Sequence, residues 1–243
     1  DQAQKLALTS RAFYNDVLGE WEEYVTRYFG YDKVLPMNTG AEADETALKL
    51  CRKWAYLKKG IPDGEAKIIV CNGNFHGRTI TIVSLSSDPD SYSGYGPFTP
   101  GFIKIPYNDA AALEEAIRDK NVAGFLVEPI QGEAGVYVPD DGYLKRAYDL
   151  CRTYNVLFIA DEVQTGIART GKLLACDYEG VRPDILVLGK ALSGGMMPVS
   201  CVLADDDIML CIRPGEHGST YGGNPIAAKV SIAALEVVKD EKL

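Results

Sequence analysis

Apolar residues along this chain follow two alternating patterns: short, mostly apolar runs, and longer stretches in which they recur every three or four positions. The short runs read as strands, at residues 67–71, 103–105, 122–127, 156–160, 185–188 and 199–203; Lys67, Lys104 and Ser200 are the polar residues among them. The periodic stretches read as amphipathic helices. One spans 42–58, with Ala43, Ala47, Leu50, Trp54 and Leu57 on a single face and Gly60 and Pro62 closing it. Others cover 110–118 and 143–154, and a last one starts near Asn224 and Pro225. Strand and helix alternate, which predicts an α/β fold with a mostly parallel central sheet flanked by helices. Two glycine-rich loops interrupt the pattern. The one at 87–101 is too long to be a simple connector and is expected to border a site or a partner subunit, and the second lies at 212–223. No repeat, low-complexity tract or linker divides the chain, so one domain is expected.

A chain of 243 residues with 47% apolar content can bury a full core. Its 25 basic and 34 acidic residues give a net charge of −9, which argues against nucleic acid or an anionic membrane as partner. A small anion must then be held by a local site. No segment approaches the length of a membrane-spanning helix. The six cysteines carry no metal or redox spacing and read as core thiols of a reducing compartment, cytoplasmic or mitochondrial. With only His76 and His217 present, no metal site is expected. Asp1 is not an initiator methionine, and residues 232–243 look like a helix still in progress. The chain is therefore expected to be a piece of a longer protein, whose targeting segment could have been lost.

Lys190 carries the strongest chemical signal. It follows Gly189 just past the carboxyl end of the 185–188 strand, and the 156–160 strand ends in Asp161 and Glu162. Ligands of open α/β sheets gather at such strand ends. A lysine beside a carboxylate suits pyridoxal phosphate: the amine bonds its aldehyde carbon, and the carboxylate keeps the ring nitrogen protonated. Taken alone, Lys190 is equally a surface lysine, so other segments must decide. NTGAE at 38–42 places a glycine turn before a helix, a natural phosphate seat, although Thr39 there also fits an ordinary helix cap. In NFHGR at 74–78, Phe75 can stack on a flat ring and Arg78 can clasp a carboxylate, or they are a core and a surface residue. EPIQGE at 128–133 puts Glu128 and Glu133 after a strand, either controlling Arg78 or solvated in a loop. HGSTYGGN at 217–224 offers a second phosphate clamp or a tight turn. GIARTGK at 166–172 spells a nucleotide-triphosphate loop, but Leu173 stands where Ser or Thr must hold magnesium, which argues against that reading.

Together, NTGAEA at 38–43, NFHGRT at 74–79, EPIQGE at 128–133, ADEVQTG at 160–166 and GKALSGG at 189–195 resemble the class III aminotransferases, pyridoxal-phosphate enzymes of fold type I. The motifs stand in the family's order over nearly the whole chain. The resemblance implies that residues 1–243 form the cofactor-binding large domain, without the amino-terminal segment and the carboxy-terminal small domain. It implies Lys190 as Schiff-base lysine and proton shuttle, Asp161 on the pyridine nitrogen and Gln164 on the ring's phenolic oxygen. Phe75 would stack on the ring, with His76 and Glu128 beside it, and Thr39, Gly40 and Ala41 would hold the phosphate. Ser219 and Thr220 would reach the phosphate of a neighbouring subunit, making a homodimer. Arg78 would take a distal carboxylate, and Glu133 would pair with a second arginine. SRAFYND at 10–16, VLPMNT at 34–39, GPF at 96–98 and PGEHGSTYGGNP at 214–225 are similar to members acting on ornithine. That likeness implies transfer of ornithine's δ-amino group to 2-oxoglutarate, giving glutamate 5-semialdehyde and glutamate. His76 departs from it, since several ornithine enzymes have tryptophan there. Acetylornithine or 4-aminobutyrate as donor, and a non-catalytic dimerising fragment, are the alternatives.

Overall fold

The computed structural model describes residues 1–10 and 12–243; Arg11, inside the 10–16 segment, lies outside the described residues. Seven strands form one sheet: β1 (Lys33–Met37), β2 (Lys67–Cys71), β3 (Phe102–Ile105), β4 (Val122–Val127), β5 (Leu157–Asp161), β6 (Ile185–Leu188) and β7 (Ser200–Ala204). Their order across the sheet is β1-β7-β6-β5-β4-β2-β3. The pairs β2–β3, β2–β4, β4–β5 and β5–β6 are parallel, while β7 runs antiparallel to both β6 and β1. The mostly parallel sheet expected from the sequence is present.

Helices in chain order are α1 (Gln2–Lys5), α2 (Leu18–Phe29), α3 (Gly40–Trp54), α4 (Ile80–Leu85), α5 (Pro89–Tyr92), α6 (Ala110–Ala116), α7 (Tyr143–Thr153), α8 (Asp206–Met209) and α9 (Pro225–Asp240). Every residue of β4, β5, β6 and β7 is buried, because helices cover both faces. Alternate strand residues serve opposite faces, as the two-residue side-chain period requires. Ile159, Val187 and Val202 pack with Ala47, Leu50 and Cys51 of α3. On the other side, Leu186, Leu188 and Cys201 meet Trp21 of α2 and Leu235 of α9, and Phe125 and Phe158 meet α6 and α7.

Three differences from the expected elements have physical causes. Residues 42–58 do not form one uniform helix: Ala55–Lys59 is a π-turn, which rotates the register and leaves Leu57 58% exposed instead of on the apolar face. β1 contains Pro36, which weakens the strand pattern and is tolerated because β1 is an edge strand. The 87–101 loop holds α5, capped by the Asp88 side chain on the Asp90 N–H. The last helix ends at Asp240, three residues before Leu243.

Candidate active site

β5 and β6 lie side by side in parallel with Asp161 opposite Val187, so their carboxyl ends open together. Asp161 is the last residue of β5. Past β6, Gly189 leads into a 3-10 turn over Lys190–Ser193. Lys190 itself has φ of +37, unusual for a residue with a side chain. The turn is held by buried Leu192, whose N–H donates to the Gly189 carbonyl, and by Ser193 Oγ donating to the Lys190 carbonyl at 3.2 Å. Its effect is to keep Lys190 off the hydrophobic layer and at the mouth of a cavity.

That cavity, about 180 Å³, is lined by Gly40, Ala41, Asp44, Phe75, His76, Gly77, Asp161, Val163, Gln164 and Lys190. Gly40 and Ala41 open α3. Thr39 is its N-cap in a capping box: Thr39 Oγ1 accepts from the Glu42 N–H at 3.2 Å, and Glu42 accepts from the Thr39 N–H at 2.8 Å. The N–H groups of Gly40 and Ala41, with no preceding turn to bond, are left for a ligand. The helix-cap reading of this segment is met, with the Thr39 side chain committed to the cap. Phe75 is half-buried, and the Arg78 guanidinium lies over its ring, 5.4 Å from the centroid.

Below the cavity the polar groups interlock. His76 Nδ1 is 2.7 Å from Asp161 Oδ2, and the Val163 N–H donates to Asp161 Oδ1 at 2.9 Å. Burial works against a charged His76 ring, but the hydrogen bond and charge of Asp161, with Glu128 behind it, outweigh this and hold His76 above the usual histidine range. Glu128 accepts the Phe75 N–H at 3.1 Å, and burial pushes its carboxyl up to about 7 despite the opposing charge of His76. Glu162, also buried, accepts from Thr165 Oγ1 and from the Ala175 and Cys176 N–H groups, which fixes the loop carrying Gln164.

Asp44, His76 and Asp161 are the one group among the described residues whose donor atoms, all within 4.8 Å of one another, match a metal cluster. The 2.7 Å approach of His76 to Asp161 is hydrogen-bond contact, shorter than two ligands at about 2.0–2.2 Å from one tetrahedral ion would stand. Asp44 went unread in the sequence. The signal was available, since Asp44 sits three and four residues before Ala47 and Leu48 on a buried helix face.

The remaining sequence candidates lie outside the cavity. Ser219 Oγ accepts from Asn38 Nδ2 at 2.9 Å, tying the 212–223 loop to the turn before α3, while Thr220 is exposed. Arg78 and Glu133 are exposed and, among the described residues, make no ion pair with each other. The 166–172 segment folds back through the Ile167 N–H on the Leu173 carbonyl and leads into the short 3-10 turn Ala175–Tyr178, without a phosphate cradle on a full helix.

The aminotransferase class-III family matches this chain over residues 1–243. The chain belongs to the class-III aminotransferases. It is 69% identical over 242 residues to the mitochondrial ornithine aminotransferase of Drosophila melanogaster, covering all of this chain and 56% of that protein. A crystal structure of the ornithine aminotransferase from Toxoplasma gondii ME49 superposes with a TM-score of 0.98 at 59% identity, over 99% of this chain and 57% of that one. The acetylornithine aminotransferase of Elizabethkingia anophelis is 68% identical with a TM-score of 0.89, over 99% of this chain and 59% of that one. The chain thus spans little more than half the length of these relatives. No helix among the described residues is long and apolar enough to cross a membrane.

Proposed function

We propose that residues 1–243 are the pyridoxal-phosphate-binding large domain of an ornithine δ-aminotransferase, moving the δ-amino group of ornithine to 2-oxoglutarate. One observation carries the reading: Lys190 and Asp161, from the ends of two adjacent parallel strands, face one cavity with the first turn of α3 and the Phe75 ring. This donor set fits a phosphorylated pyridine aldehyde. The Gly40 and Ala41 N–H groups at the helix start bind its phosphate, assisted by the dipole of α3, with Thr39 shaping the turn. Phe75 would stack on the ring, Gln164 would hydrogen-bond its oxygen, and Asp161 would hold the proton on its nitrogen. His76 and Glu128 set the position and charge around Asp161 and Phe75.

When bound, pyridoxal phosphate supplies an electron-withdrawing ring that stabilises negative charge on the carbon bearing the amino group. Lys190 would anchor the cofactor through Nζ, and its free amine would hold and move the proton at the substrate's amino-bearing carbon. Arg78 binds the distal carboxylate of 2-oxoglutarate, a planar anion suited to a guanidinium fork. Glu133 pairs with an arginine from beyond these residues. Ser219 and Thr220 complete the phosphate site of a second copy, so the working form is a homodimer. The mitochondrial ornithine aminotransferases of Drosophila melanogaster and Drosophila ananassae favour the mitochondrion over the cytoplasm as compartment.

An amino-donor panel with 2-oxoglutarate as acceptor tests the reading, on this chain and on the longer protein to which it is expected to belong. Turnover of ornithine ahead of acetylornithine and 4-aminobutyrate supports it. Preference for either of the others moves the protein to that branch of the family, which the Elizabethkingia likeness keeps in view. Cofactor uptake without turnover of any donor marks a non-catalytic module.

A further inference from the structure

Asp44 is the least accounted-for group in the molecule. It lies on α3, 1% exposed, with buried Ala43, Ala47, Leu48 and Cys51 around it, and its Oδ1 has no hydrogen-bond partner among the described residues. A carboxylate left unpaired in such a setting is costly, and buried charges survive only when paired. The charged groups that face it are Asp161, Glu128 and Lys190, with His76 completing the cluster. Two of these are carboxyls, and Asp161 has a donor atom within 4.8 Å of Asp44. Burial, then Asp161, then Glu128 all drive the Asp44 carboxyl well above the usual carboxylate range, and only Lys190 opposes them.

Where two buried carboxyls share a site, one proton serves both. The surroundings decide which of them carries it. Asp161 accepts the Val163 N–H at 2.9 Å and faces the His76 ring nitrogen at 2.7 Å, the work of a carboxylate. No N–H group donates to Asp44 Oδ1. We propose that Asp44 is a positioning residue that stands as a neutral carboxylic acid and donates its proton to Asp161, making an Asp44–Asp161–His76 chain beneath the cavity. Its relevance to the cofactor rests on the proposed function, which assigns Asp161 to the pyridine nitrogen. Asp161 then receives hydrogen bonds from Asp44, from Val163 and from His76. Asp44 hydrogen-bonds it from behind without adding a second negative charge to the site.

The chain contains two histidines, which makes the test direct. The ring titration of His76 is followed by nitrogen-15 NMR in the full chain without cofactor, with His217→Gln to assign the other signal. Infrared difference spectra of wild type against Asp44→Asn look for the carbonyl stretch of a protonated carboxylic acid. The expected result is that this band is present in wild type and absent in the variant. Asp44→Asn should leave the His76 midpoint within about 0.3 pH unit, because a neutral donor replaces a neutral donor. Asp44→Ala should raise it by roughly 0.5–1 pH unit, since Asp161 loses one donor and holds the imidazolium more strongly. Absence of the protonated-acid band from wild type, or a fall in the His76 midpoint of about one pH unit or more in Asp44→Asn, would show a charged Asp44 and overturn the proposal. An unmoved midpoint in Asp44→Ala would also overturn it, and the infrared band decides if that variant does not fold. In chain loaded with pyridoxal phosphate, the pH midpoint of the bound cofactor's visible absorption should follow the same order, unchanged in Asn and shifted in Ala. If the chain takes up no cofactor while the histidine and infrared signatures hold, the functional reading fails and the shared proton stands.

Discussion

Replacing Gly77 with alanine disturbs the floor of the cavity at one atom. Gly77 has φ of +126, and a Cβ there would stand 2.5 Å from Ala41 Cβ and 3.2 Å from Ala41 Cα. Ala41 has little room to yield, because the Thr39–Glu42 capping box pins the first turn of α3. The backbone strain costs about 1–3 kcal/mol, and forcing a methyl into a filled space adds about 1–3 kcal/mol, so the loss of stability is about 2–6 kcal/mol. Gly30→Ala is the control: its φ is +73, but nothing lies within 4 Å of the added Cβ. That change pays for left-handed backbone alone, about 1–2 kcal/mol. Urea unfolding reads both, as a shift of midpoint at constant slope. Because Ala41 carries one of the N–H groups assigned to phosphate, Gly77→Ala should also weaken pyridoxal-phosphate binding about tenfold or more, while Gly30→Ala should not. Equal destabilisation by the two substitutions, with cofactor affinity unchanged in both, would refute the reasoning.

Three further outcomes follow from the same geometry. Glu128 titrates at about 7 in the folded chain against 4.5 when unperturbed, so the native state holds more protons between those values and stability falls as pH rises through that window. Glu128→Gln should remove this slope and be the more stable form above pH 7, by up to about 3 kcal/mol; parallel stability–pH curves for the two proteins would contradict it. Glu162→Ala should cost about 2–5 kcal/mol by orphaning Thr165 Oγ1 and the Ala175 and Cys176 N–H groups, and a urea midpoint equal to that of wild type would exclude this role. Asp161→Ala should retain some pyridoxal phosphate yet lose most of the proton-transfer rate, read as exchange of the substrate hydrogen with solvent deuterium; undiminished exchange would remove Asp161 from the chemistry.

Much of the sheet was legible because its central strands are buried on both faces and therefore apolar, as in residues 68–71, 122–127 and 185–188. The start of α3 was legible for a local reason too, Thr39 as a helix cap, although the structure begins the helix at Gly40 and adds Glu42 to the cap. Features that depend on distant partners were not. Nothing in the local pattern of residues 199–203 tells that β7 runs antiparallel, and the π-turn that turns Leu57 outward leaves no mark in the spacing. Lys190 and Asp161 could be paired in advance because both terminate apolar runs, and strand ends are where such sheets bind ligands. The His76–Asp161 bond joins residues 85 apart, and Asp44 approaches them from a third element. Only the fold brings these three together, so the polar network under the cavity emerged from the structure alone.

Borohydride reduction after incubation with pyridoxal phosphate, followed by peptide mass mapping, interrogates Lys190 without requiring turnover. The chain should carry a single pyridoxyl group, on the peptide containing Lys190, and Lys190→Ala should abolish the label while leaving the urea midpoint within about 1 kcal/mol of wild type. The same experiment with Gly77→Ala, at limiting cofactor, should give less label at the same lysine. A label found on Lys172 or Lys104 instead, or spread over surface lysines without preference for Lys190, would contradict the assignment of this cavity as the cofactor site.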